Sequence, residues 1–210
     1  MNIKIGSAAA RLAPRYRSLL LTNKAFTLVE IIVILAVVSI LVAIVTPTVL
    51  KYIAEAQESR AEEDVRNLSV VINDLIKDTG QYPGSKLPVV GGTQTTFLCG
   101  PGTKPTAGPW GVGTTCADIT MHIVENDPSQ DGTAGSTGDY RTTGRRKFKG
   151  PYVQVLNEDP WGNAYQINAT TLVGGNTSPT WVISAGPNGI FDTTPADTAI
   201  TSDDMGVRLK

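Results

Sequence analysis

The short arrangements that most often announce an enzyme are missing from this sequence. It has no G-x-x-x-x-G-K-[ST] phosphate loop, no H-E-x-x-H helix and no G-x-S-x-G elbow. Histidine is nearly absent. His122 stands alone, with no cysteine or second histidine at ligand spacing, and reads as an ordinary surface residue rather than a metal ligand. With no nucleophile set beside a base, the sequence predicts a protein that is not an enzyme. Charge is sparse at 18%, and residues 1–25 contain no acid at all, only Lys4, Arg11, Arg15, Arg17 and Lys24. Setting those five bases aside leaves 13 basic against 19 acidic residues, a formal −6. A basic leader before an acidic body suits export across a membrane and argues against nucleic-acid binding. The one basic run, Arg145-Arg146-Lys147-Phe148-Lys149, reads as a solvated loop.

What the sequence does have is one long apolar run. From Phe26 to Val45 there are 20 residues, in which Glu30 is the only charge and Thr27 and Ser39 the only hydroxyls. At about 1.5 Å per residue, such a helix covers about 30 Å, the hydrocarbon thickness of a bilayer. Bases on its N-terminal side predict a cytoplasmic leader and an exported body. A secretory signal peptide would need small residues just past the run, and the only such site, Ala54-Glu55-Ala56, lies well beyond it. A plain anchor leaves Glu30 unexplained, because a carboxylate within a membrane segment costs on the order of 2.5 kcal/mol or more and asks for a cationic partner.

Beyond Pro47 the pattern turns amphipathic. Leu50, Ala54, Ala61, Val65, Leu68, Ile72 and Leu75 follow helical spacing, interrupted by Gln57, with charges between them. Glu62 and Arg66 form a favourable i,i+4 pair, and Thr79-Gly80 followed by Pro83 stops the helix. The helix is therefore expected over 26–77. Residues 84–150 are rich in Gly, Pro, Thr and Ser and read as a long surface loop. Cys99 and Cys116 lie inside it, and export into an oxidising compartment predicts a disulfide between them. Strands are expected at Pro151–Leu156, Ala164–Asn168 and Thr180–Ser184, with a weaker one at Thr171–Val173. A small antiparallel sheet packed on the helix stripe makes an α+β layer architecture.

The residues around Glu30 carry a resemblance. Lys24-Ala25-Phe26-Thr27-Leu28-Val29-Glu30 resembles the processing motif of type IV pilins and type II secretion pseudopilins. The resemblance implies cleavage by a prepilin peptidase between Ala25, where the family more often has Gly, and Phe26, followed by N-methylation of Phe26. It implies assembly through Phe26 and Glu30, with the acid pairing with the N-terminal ammonium of a neighbouring subunit. Pro47, the 22nd residue after the cut, matches the family's helix-loosening proline. The implied organisation is a cleaved leader at 1–25, a transmembrane and assembly helix at 26–46, and a periplasmic head at 47–210 that includes the amphipathic half of the helix.

Two further passages resemble the major pseudopilin of type II secretion. Gly150-Pro151-Tyr152 with Asp159-Pro160-Trp161-Gly162-Asn163-Ala164-Tyr165 is similar to its G-x-Y … D-P-W-G-N-x-Y segment. Ser184-Ala185-Gly186-Pro187-Asn188-Gly189, Asp192 and Asp203-Asp204 are similar to its calcium-binding S-x-G-x-D-G … D-D segment. The resemblance thus implies calcium on Asn188, Asp192, Asp203 and Asp204, with Asn188 standing where an acid is usual, and hard oxygens of this kind suit that ion. The competing reading of the segment is an Asn-Gly hairpin followed by solvated acids. The expected function is a structural one. The chain would be the subunit of a pseudopilus, a homopolymer assembled with an inner-membrane platform and minor pseudopilins, held in the inner membrane beforehand. A type IV pilin for adhesion, motility or DNA uptake is the alternative, and an uncleaved anchor bearing a periplasmic binding module is a third.

Overall fold

The computed structural model describes residues 26–90, 93–105, 108–110 and 116–210. The leader, including Ala25, lies outside the described residues. Two compact units divide after Pro47.

In the first unit the described residues are 26–47, nearly all in the opening part of α1 (Leu28–Thr79). This part is rich in Ile and Val, which are poor helix formers in water but are tolerated where every backbone group must find an internal partner. Its hydroxyls follow the same economy. Ser39 Oγ donates to the Leu35 carbonyl and Thr46 Oγ1 to the Val42 carbonyl, each at 2.7 Å. None of its side chains is buried. The helix is long and apolar enough to cross a membrane, with a mean hydropathy of 3.2 over its most apolar window. Pro47 lies inside the helix, where it cannot donate to the Ala43 carbonyl.

The second unit, Thr48–Lys210, is built on the rest of α1. Ala61, Val65, Leu68, Ile72 and Leu75 are buried, and the last four pack with Leu98, Ile167, Val182 and Tyr165. The predicted stripe is longer than its buried part. Leu50 and Ala54 are exposed, because none of the described strands or loops covers that stretch of the helix. α1 ends where the sequence places its stop. Gly80 takes the left-handed φ of +66° that a helix C-terminus favours, and its N–H reaches back to the Ile76 carbonyl at 2.7 Å.

A five-stranded sheet covers the stripe in the order β4 (Cys116–Asp118), β3 (Phe97–Cys99), β5 (Gln166–Ile167), β6 (Trp181–Ser184), β7 (Met205–Arg208). β1 (Val89–Val90) and β2 (Thr93–Gln94) pair separately as a small antiparallel ladder. The α+β arrangement, a long N-terminal helix with a small sheet, is the pilin-like one. The sheet is mixed, however: β3 and β4 run parallel, and the remaining pairs are antiparallel.

Two expected strands do not form. Pro151–Leu156 joins no ladder: Pro151 has no N–H, and the Tyr152 N–H goes instead to the Ile123 carbonyl at 2.9 Å. In place of a strand at Thr171–Val173 there is a single tight turn, Ala169–Thr171, closed by Leu172 N–H on the Ala169 carbonyl. Nor is 84–150 one structureless loop, since it contributes β1 to β4 and a wide helical turn at Met121–Glu125. Side chains organise much of its remainder. Asn126 accepts from the Tyr140 N–H and donates to the Tyr140 carbonyl, both at 3.1 Å, holding two points 14 residues apart.

Candidate functional site

The functional candidates fall in three places, the start of α1, the paired cysteines and an acidic turn near the C-terminus. At the start of α1, Thr27 and Glu30 close a reciprocal cap. The Thr27 N–H and Oγ1 both donate to Glu30 Oε2, at 2.8 and 2.9 Å, while the Glu30 N–H donates to Thr27 Oγ1 at 3.2 Å. Thr27 is thus the N-cap and Glu30 the third helical residue, a T-x-x-E signal in plain view in the sequence. Phe26 beside them is 78% exposed. Among the described residues, then, Glu30 is occupied through one oxygen only.

Cys99 and Cys116 are joined in a disulfide with their Cα atoms 5.8 Å apart. It links β3 to its parallel neighbour β4 beside Trp110, Trp181 and Phe191. The bond closes the segment that carries Trp110, whose indole N–H reaches the Thr193 carbonyl at 2.6 Å.

The acidic turn follows β6. Asn188 Nδ2 donates to Asp203 Oδ1 at 2.7 Å and to Asp192 Oδ2 at 3.3 Å, so one amide holds two carboxylates that would otherwise repel. The Asn188 side-chain oxygen is itself taken by the Ile190 N–H at 2.6 Å. Asp204 is buried. Its Oδ2 accepts from the Asp192 and Thr193 N–H groups at 2.9 and 2.6 Å, whereas its Oδ1 has no partner. Burial raises the Asp204 carboxyl above its usual range, and the Thr193 N–H only partly offsets this. The structure therefore brings Asn188, Asp192 and Asp203 together directly, with Asp204 joined to them through the Asp192 backbone. Gly186 makes the approach feasible. It has φ +63°, and a Cβ there would lie 2.2 Å from the Asp203 carbonyl oxygen.

Asp159, which opens the D-P-W-G-N passage, ties that turn to the acidic segment. It is buried, and its Oδ1 accepts from the Trp161 and Asn163 N–H groups at 3.0 and 2.7 Å. Its Oδ2 accepts from Ser184 Oγ at 2.7 Å, and that oxygen in turn accepts from the Gly186 N–H at 3.2 Å. The D-P-W-G-N turn and the glycine-rich start of the acidic segment are thus clasped by one carboxylate. In the sequence only the Asp-Pro-Trp-Gly-Asn passage itself, a turn-forming run at 159–163, hints at this.

His122 is not a surface residue. It is fully buried, its Nδ1 lies 2.8 Å from the Tyr140 hydroxyl and its Nε2 is unpartnered. Burial lowers its pKa to about 3, so the ring is neutral at physiological pH. A further acidic group, Asp127, Asp131 and Asp139, gathers in the loop after the wide helical turn. Its carboxylates are taken up by backbone and hydroxyl donors, including the Gly132 N–H on Asp127 and the Ser136 N–H on Asp139, both at 2.9 Å.

Comparison with known families gives one match. The model described as Type II secretion system (T2SS), protein G, the major pseudopilin family, matches residues 126–203. That span holds the Asp159 clasp, β5, β6 and the acidic turn as far as Asp203. No curated protein and no solved structure matches the chain.

Proposed function

We propose that this chain, similar over residues 126–203 to the type II secretion protein G family, is the structural subunit of a secretion pseudopilus. The family match carries the reading, and the first unit supplies what a fibre subunit needs: an apolar helix exposed along its length among the described residues, with one acid near its start. The family is one of structural subunits, so no catalytic role is assigned. Prepilin peptidase removes 1–25, and Phe26 becomes the N-methylated terminus. The chain waits in the inner membrane with its head in the periplasm. On assembly, the new ammonium of a neighbouring subunit meets Glu30, and two charges that are costly alone in an apolar setting neutralise each other. Only one Glu30 oxygen is committed to the Thr27 cap, which leaves the other for that contact. Pro47, already short of one backbone bond, is the place where the helix loosens as subunits leave lipid for the fibre. The inner-membrane platform and minor pseudopilins are the remaining partners, and the growing fibre drives protein export across the outer membrane.

Calcium belongs to the same proposal. Asn188, Asp192, Asp203 and Asp204 fit a hard cation, since two carboxylates converge on one amide and a buried carboxylate oxygen lacks a partner. The bound ion would supply positive charge that lets these acids stay ionised side by side.

The processing step is tested by the intact mass and N-terminal sequence of the chain purified from its own cells. A species beginning with N-methylated Phe26 is expected. Retention of residues 1–25 would contradict the reading and favour an uncleaved anchor.

A further inference from the structure

Two clefts of opposite charge open at separate places on the second unit. At the C-terminal end of α1, Lys77, Arg145, Arg146 and Lys149 line a cleft of about 360 Å³ with a single acid, Asp78. Asp78 is already engaged by Lys149 Nζ at 2.5 Å. Among the described residues Lys77, Arg145 and Arg146 have no carboxylate within ion-pair distance. The run 145–149 is the solvated loop expected from the sequence, and Phe148 ties it to the head. Phe148 stacks against Tyr140 and meets Tyr152 edge-on, and its N–H donates to the Arg141 carbonyl at 2.7 Å. Arg146 lies over Gly80 at the helix end, so close that a Cβ on Gly80 would sit 2.8 Å from Arg146 Cδ. Phe148 and Lys149 thus tie the backbone of the run to the end of α1, beside Lys77.

Further back along the same helix, Glu58 and Glu62 join Asp203 and Asp204 around a second cleft of about 250 Å³. Glu62 is paired with Arg66 at 3.0 Å, and Glu58 has no cation partner among the described residues. Three unpaired cations therefore stand at one place on the head and a wall of carboxylates at another.

We propose that these clefts meet between successive copies of this chain, Arg145, Arg146 and Lys77 of one subunit receiving Glu58 and Glu62 of the next. This inference rests on the fibre reading above. Complementary patches at different places on one molecule make a heterologous contact, which does not close on itself unless the rotation happens to form a ring, and so propagates as a filament. Glu58 and Glu62 precede Lys77 by 19 and 15 residues on α1, so the contact displaces each subunit along its neighbour's helix by roughly 22–29 Å. Each exposed ion pair is weak alone, but several in one cleft fix register and suppress wrong partners.

The test is charge exchange in the full-length chain in its own cells, scored by fibre yield when the protein is overproduced. Arg145→Glu with Arg146→Glu is expected to lower yield at least tenfold, as is Glu58→Lys with Glu62→Lys. Two strains each expressing one double variant would remain defective. Combining all four substitutions in one chain is expected to restore yield to within about threefold of the unaltered chain. None of these variants replaces Asn188, Asp192, Asp203 or Asp204; because Glu58 and Glu62 share a cleft with Asp203 and Asp204, recovery in the combined variant is what separates the pairing from a disturbed acidic turn. Fibres at normal yield from both double variants would overturn the pairing while leaving the fibre reading intact. Loss in the arginine variant alone, pointing to a small anion in the basic cleft, would also overturn it, as would failure of the combined variant to recover. Absence of fibres from the unaltered chain would sink both. As a second measurement, Glu58→Cys with Arg146→Cys should oxidise to a ladder of multimers, with neither cysteine alone doing so. A ladder that stops at dimers contradicts the heterologous contact.

Discussion

His122 shows how far a single residue's role can depend on contacts that its neighbours in sequence do not reveal. Lone histidines in polar loops are usually solvated, and nothing between 116 and 128 marks this one for the interior. Its burial is decided by Tyr140 and by the Asn126 clamp that returns residue 140 to the wide helical turn. The ring's pKa falls to about 3 on folding, well below the unfolded value, so the unfolded chain takes up a proton first as pH drops. This group's contribution is fully present above about pH 6.5 and fades as pH falls toward 3, at about 1.4 kcal/mol per pH unit within that window. Melting curves of the full chain in detergent should therefore lose less stability on acidification when His122 is replaced by Gln. Parallel curves for the two proteins would mean that the imidazole is already protonated or exposed. The clasp made by Asp159 was equally hidden, because the identity of its three donors depends on how two distant turns meet.

At the scale of elements, the long helix was the most legible part of the fold. Its apolar run, its periodic stripe and its stop at Thr79-Gly80 are local signals, and each is set by only a few residues. The stripe told less about where burial begins, since Leu50 and Ala54 keep the same spacing as Leu68 and Ile72 but have nothing packed on them. Strands were harder to read, because Pro151–Leu156 has strand-like residues yet finds its backbone partner in the turn at Ile123. In the acidic turn the four residues singled out in the sequence, Asn188, Asp192, Asp203 and Asp204, lie together, and the structure adds the unpartnered oxygen of Asp204. Because burial raises this carboxyl, the metal-free head is stabilised at low pH and loses that contribution as pH rises through the folded value. Calcium at a hundredfold excess over its Kd should return about 2.7 kcal/mol at neutral pH, read as a rise in Tm. Asp204→Asn should abolish the calcium shift while raising Tm in the absence of metal. A calcium shift that survives in Asp204→Asn would place the ion elsewhere.

For the whole molecule, the family match and the apolar helix fall on different stretches of the chain and point the same way. Residues 126–203 match the secretion protein G family, while the exposed helix and the Thr27–Glu30 cap lie outside that span. A fibre subunit needs both, a head and an apolar handle. The loop region between Pro83 and Gly150 was the least legible stretch, because its order comes from long-range pairs: the disulfide, the Asn126 clamp and the parallel edge of the sheet. The most direct test of the pseudopilus account is the supernatant-to-periplasm ratio of normally exported proteins in a strain deleted for this gene. If the chain builds a secretion pseudopilus, those proteins accumulate in the periplasm while surface fibres of other kinds are unchanged. Normal export accompanied by loss of surface fibres, adhesion or twitching would contradict it and assign the chain to a type IV pilus instead.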